Sequence, residues 1–137
     1  MPTENGKMLQ ERFDERTEIE KEKISLEEEQ RKLVDKFDNL NDELIHVMEK
    51  PVDSLEEQMA QKAEIDSIKE KINNVVDELV KVRKKIKEKE KEIDKANEKI
   101  NEMTEIVIED EHELNQQQQE LEKEKNDKKV ELLINQL

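Results

Sequence analysis

The chain has 137 residues, of which 47% are charged and 31% hydrophobic, with a formal net charge of −14. Aromatics are limited to Phe13 and Phe37 and cysteine is absent, so a globular domain of this length would lack the apolar mass to offset its ordering entropy, and neither a disulfide framework nor a thiolate metal site is available. The acidic balance argues against general nucleic-acid binding, which needs a basic footprint, and apolar runs no longer than Leu132-Leu133-Ile134 or Ile106-Val107-Ile108 rule out a transmembrane span.

Low hydropathy with high charge also fits a disordered chain. Periodicity decides, because a disordered chain does not keep a three-four apolar spacing over six heptads. The abundance of Glu, Lys, Gln and Leu, with one Gly and two Pro, favours helix throughout. The expected fold is all-α: an elongated coiled coil whose long helix is broken or kinked near Pro51 and pairs with a partner chain.

Residues 1–7, with Pro2, Asn5 and Gly6, read as a flexible tail, and no apolar stretch of signal-peptide type precedes Gln10. A first helical arm covers 8–50. Its stripe sharpens at Leu26, Leu33, Phe37, Leu40, Leu44 and Val47. Pro51 takes the next core position and stops the helix, since it lacks an N–H and clashes with the preceding turn. Residues 51–54 form the kink or turn, and Ser54 with Glu57 has capping-box spacing that restarts the helix. A kinked, nearly continuous rod is preferred to a hairpin. No glycine is present there to reverse the chain, and the two arms are unequal.

The long helix is expected over 55–129. Val52, Leu55 and Met59 follow one phase and Ile65 begins another, so 60–64 absorb a discontinuity. From there the heptad seam runs through Ile65, Ile68, Ile72, Val75, Leu79, Val82, Ile86, Ile93, Ala96, Ile100, Met103 and Val107, with one missing rung at Lys89. This is the spacing of a left-handed coiled coil. Beyond it the seam turns polar at Asp110, Gln117, Glu124 and Lys128, relieved by Leu114 and Leu121, and four consecutive glutamines (Gln116 to Gln119) read as a solvated face. Residues 130–137 carry an apolar face at Val130, Leu133, Ile134 and Leu137, read as a docking segment.

Little here supports chemistry. His46 and His112 are isolated, with no second histidine at i+4. The carboxylates lie on a rod that offers no desolvated pocket to shift their pKa values, and no phosphate-binding loop or nucleophile setting is present. The chain is read as non-enzymatic, with no cofactor and no metal. Lys81 to Lys91 holds seven basic residues and two acids, whereas Glu105 to Glu124 holds eight acids and one lysine. The first is read as a solvated face, and together they polarise the rod along its axis.

The partner remains to be inferred. In a parallel homodimer Glu64–Lys69, Glu78–Arg83 and Lys85–Glu90 would attract across the seam. At the core, however, Lys89 would face Lys89 and Asp110 would face Asp110, and burying like charges costs more than surface attractions return. A heteromer is therefore favoured, its partner supplying acids opposite Lys89 and bases opposite Asp110. The expected interface comprises Leu33, Phe37, Leu40, Leu44, Ile65, Ile68, Ile72, Val75, Leu79, Val82, Ile86, Ile93, Ile100, Met103, Val107, Val130, Leu133, Ile134 and Leu137. Parallel and antiparallel pairing both stay open.

Several phrases carry a resemblance to a known family: Phe13-Asp14-Glu15, Leu33-Val34-Asp35-Lys36-Phe37, Val52-Asp53-Ser54-Leu55, Gln58-Met59-Ala60 with Ala63-Glu64, and Leu133-Ile134-Asn135-Gln136-Leu137. In these patches, and in length, the chain resembles the intraflagellar transport protein 20 family, the small coiled-coil subunit of the intraflagellar transport B complex. The glycines of that family's central part are missing here. The resemblance implies a non-enzymatic subunit wound around a longer coiled-coil partner in a ciliary transport train. It also implies a cytoplasmic location with pools at the cilium or flagellum, the basal body and the Golgi. The alternative is a coiled-coil subunit of another cytoskeletal, kinetochore or vesicle-tethering complex, or a homodimeric structural rod.

Overall fold

The computed structural model describes residues 3–136. They form two helices, α1 (Glu4–Glu49) and α2 (Leu55–Gln136), and no strand is present among the described residues. The protein is all-α. Packing divides it into two units: Thr17–Asp94, and the described residues up to Arg16 together with those from Lys95 onward.

Helix α1 begins earlier than the expected start near Met8. Thr3 is its N-cap: the hydroxyl accepts the Gly6 N–H at 3.0 Å and the carbonyl accepts the Lys7 N–H at 3.0 Å. A threonine oxygen satisfying an otherwise unpaired first-turn N–H offsets the entropy cost of the glycine beside it. On the outer face, Arg12–Glu15, Lys21–Glu18 and Arg31–Glu28 pair at i, i+3, a spacing that supports a helix locally.

In the Thr17–Asp94 unit the chain reverses, which corrects the kinked-rod expectation. Helix α1 ends at Glu49, where the Lys50 N–H bonds the Val47 carbonyl at 3.3 Å. Pro51 then prevents continuation. Ser54 opens α2 by accepting the Glu57 N–H on its hydroxyl at 3.1 Å, and Glu57 reaches back to the Asp53 N–H at 2.9 Å. The expected capping pair is present, with Glu57 taking the residue before the cap instead of the cap itself. Glycine proves unnecessary, because no residue of the turn has positive φ.

The reversal sets the two apolar stripes against each other. Leu33, Leu40 and Val47 of α1 are buried in one cluster with Ile68, Val75, Leu79, Val82 and Ile86 of α2. Leu26, Val34, Phe37, Leu44, Ile65 and Ile72 pack around them, half-buried. Val47, Ile68 and Val75 are each 2% exposed, so the centre of this core lies toward the turn. Side chains this well covered contribute roughly 1.5–3 kcal/mol apiece. The stripe of α2, expected to need a second chain, finds its cover in α1.

In the other unit α1 also lies against α2. Arg16 donates from its guanidinium to the Asn97 side-chain oxygen at 3.0 Å, and Asn5 donates from Nδ2 to the Asp110 carboxylate at 2.7 Å. Ala96 and Ile100 are buried there, and Met103 and Val107 half-buried. Arg16 also stacks over the Phe13 ring at 5.1 Å, within cation–π range.

Candidate protein-interaction site

The two polar gaps in the α2 stripe show how the arms recognise each other. Lys89 occupies a core position, and a lysine there needs an acid to remain charged without penalty. Glu22 of α1 supplies one and Glu92, three residues along α2, a second, at 3.2 Å. Hydrogen bonding to Glu22, then to Glu92, keeps Lys89 protonated to a higher pH than an ordinary lysine. Lys23 extends the network to Glu27 and Glu90, both at 3.7 Å. At the second gap, Asp110 is half-buried and accepts the Asn5 amide described above. An acid opposite Lys89 and a base opposite Asp110 were expected of a partner chain; α1 supplies the acid opposite Lys89 and a hydrogen-bond donor opposite Asp110. The donor is a neutral amide where a base was expected.

The expected interface residues therefore divide into three sets. Leu33, Phe37, Leu40, Leu44, Ile65, Ile68, Ile72, Val75, Leu79, Val82 and Ile86 belong to the intramolecular core or its margin. Ile93, Ile100, Met103 and Val107 are buried or half-buried. Val130, Leu133 and Ile134 are exposed, as is every residue from Glu111 to Gln136. Leu137 lies outside the described residues.

The change along α2 is abrupt. Up to Asp110 one face is covered; past it the stripe continues through Leu114 and Leu121 into Val130, Leu132, Leu133 and Ile134 with nothing over it, these six being 48–64% exposed. Most helical stability comes from packing an apolar face and not from propensity, so a segment of this composition gains most from a second helix laid along it. Its first half is acidic, with Glu111, Glu113, Glu120 and Glu122.

Among the described residues no three His, Asp or Glu side chains converge to hold a metal ion, and His112 lies 3.2 Å from the Gln116 side-chain amide. In the basic run, Lys89 is engaged by Glu22 and Glu92 while Lys81, Arg83, Lys84, Lys85, Lys87 and Lys91 are exposed. No helix among the described residues is long and apolar enough to cross a membrane.

Sequence reasoning took Leu55 and Met59 as a phase that gives way at Ile65 and passed over Val76 and Val80. Leu55, Met59, Val76 and Val80 lie on α2 but outside the core stripe, and remain exposed. The signal was present as the change of phase before Ile65.

No protein-family model matches the chain, and neither a curated protein nor a solved structure shows significant similarity to it.

Proposed function

We propose that this chain, its Thr17–Asp94 unit folded as a helical hairpin, is a non-enzymatic scaffold subunit that enters a larger heteromeric assembly through Glu111–Gln136 of α2. There it forms one strand of an elongated coiled coil with a helix of another protein. One observation carries this reading: a stripe covered as far as Val107 continues uncovered through Leu114, Leu121, Val130, Leu133 and Ile134. Burying such side chains against a partner contributes about 1.5–3 kcal/mol each. A parallel copy of the same segment is the poorer partner, because it would set the acids of Glu105 to Glu124 against themselves. The resemblance to the intraflagellar transport protein 20 family gives the assembly a specific form, a ciliary transport train in the cytoplasm, with pools at the basal body and Golgi.

The test is purification of the tagged chain from its native cell. The reading expects one other coiled-coil protein in stoichiometric amount, photo-crosslinked from a probe at Leu121 and lost when Leu114, Leu121, Leu133 and Ile134 are changed to Ser. Equal recovery of that protein with the quadruple variant overturns the docking site. A co-purifying chain from a kinetochore or vesicle tether removes the ciliary assignment and keeps the scaffold.

A further inference from the structure

Helix α2 carries a second stripe, distinct from the one buried by α1. Starting at Leu55 it proceeds in steps of four and three: Met59, Lys62, Asp66, Lys69, Asn73, Val76, Val80. All eight residues are exposed, while Ile68, Val75 and Leu79, interleaved with them, are buried. A three-four spacing keeps these positions on one flank of the helix, beside the face that meets α1. The phase set by Leu55 and Met59 therefore never ends at Ile65; it continues on another flank.

The order of residues in this stripe is self-complementary. Reversed and laid against itself about a point between Ser67 and Ile68, it places Leu55 against Val80 and Met59 against Val76. Next come Lys62 against Asn73 and, at the centre, Asp66 against Lys69. Each of these occurs twice in a symmetric pair. Apolar side chains meet at both ends and opposite charges meet in the middle. A parallel arrangement would set Lys62, Asp66 and Lys69 each against its own copy, three like-charge contacts of the kind that suppress pairing. Self-complementarity under reversal is the requirement of a two-fold, isologous interface.

We infer that a second copy of this chain docks antiparallel on the Leu55–Val80 flank of α2, forming a homodimer about a two-fold axis beside Ser67 and Ile68. This contact lies apart from Glu111–Gln136 and does not depend on the heteromeric reading of that segment. Each hairpin stays closed, and the dimer joins two hairpins through their α2 helices. The net charge of −14 on each copy opposes the encounter at low salt, and physiological ionic strength screens it.

Sedimentation equilibrium of the full chain at physiological salt tests the proposal. A concentration-dependent dimer is expected, weakened at least about tenfold by Val80→Glu, which removes an apolar end contact twice per dimer. Asp66→Lys and Lys69→Asp should each weaken it, and the two together should restore it, because reversal of both charges recreates the complementary pair. Removing Glu111–Gln136 should leave the dimer unchanged. Circular dichroism of each variant checks that the hairpin persists. A monomer across the accessible concentration range, a dimer indifferent to Val80→Glu, or a double charge reversal no better than the single ones overturns the inference.

Discussion

Gln61 donates from Nε2 to the main-chain carbonyl of Val47 at 2.8 Å, tying the second turn of α2 to the last turn of α1; the same group reaches the Lys50 carbonyl at 3.2 Å. The carbonyls at a helix C-terminus have no partner within the helix. Here a side chain from the opposite arm supplies one, which explains how the reversal holds without a glycine C-cap. Gln61→Ala should lower unfolding stability by about 1–2 kcal/mol, the worth of one or two such bonds, read from urea denaturation. Gln61→Glu should cost more, because a carboxylate would face carbonyl oxygens.

Nitroxide labels at Ser25 and Glu88, which border one groove of the Thr17–Asp94 unit, distinguish the hairpin from a straight or gently kinked helix. Packed helices run about 8–10 Å apart, so pulsed spin-resonance distances under about 25 Å are expected. A nearly continuous helix would separate the same residues by roughly 95 Å at 1.5 Å per residue.

The stripe of α2 was legible in the sequence because a three-four apolar spacing dictates which side of a helix is dry, whatever covers it. The covering element was not legible, because Ile68 or Val82 would look the same beneath another chain as beneath α1. Two signals pointed to α1. Lys89 demanded an acid and Asp110 a base; α1 carries Glu22 against the first and, in place of a base, the Asn5 amide against the second. Both read as demands on a partner chain, because the missing glycine at 50–54 and the unequal arms favour the rod; the clasp by Gln61 depends on a contact across the turn that no local pattern records. Asn5 and Gly6 likewise read as a frayed tail until the Thr3 cap explained them.

Lys89→Glu should lower the urea midpoint, because a carboxylate would then meet Glu22 and Glu92. Combining it with Glu22→Lys should recover part of the loss. The wild-type contact also predicts a pH dependence. Lys89 titrates higher in the folded chain than an ordinary lysine, so its contribution is complete below the ordinary lysine range and disappears as pH rises through the folded value. The midpoint difference between wild type and Lys89→Met should therefore shrink at strongly alkaline pH.

Ile68→Ala should cost about 2–5 kcal/mol, as expected where a side chain only 2% exposed is removed from a packed core. Ile86→Asp should be more disruptive, adding desolvation of a charge and opening the hairpin itself; Lys87→Glu on the exposed side should change the midpoint by less than about 0.5 kcal/mol. Equal effects at 86 and 87 would show the packing register to be wrong.

Hydrogen exchange should separate two classes of amide along α2. Those near Ile68 to Val82 should open only with the whole hairpin, whereas those from Glu111 onward should exchange quickly in the isolated chain. If the proposed docking of Glu111–Gln136 holds, addition of the chain that co-purifies with it should slow the second class alone. Removing Val130 and the residues after it should weaken incorporation while leaving the urea midpoint of the hairpin unchanged.

The way the arms meet in the Thr17–Asp94 unit also sets how it bears load. Tension applied between Thr17 and Asp94 would pull across the hairpin, reaching the Glu22–Lys89 and Lys23–Glu90 pairs before Leu33, Leu40 and finally Val47 with Gln61. The rungs would separate in succession at low force, as a zip opens, and re-close from the turn when slack returned, since neighbours there have the least loop entropy to lose. Tension along α2 alone would instead load its turns in series, each turn bearing the force on about 3.6 backbone hydrogen bonds aligned with the axis. One molecule would thus be stiff when drawn lengthwise and compliant when its arms are drawn apart.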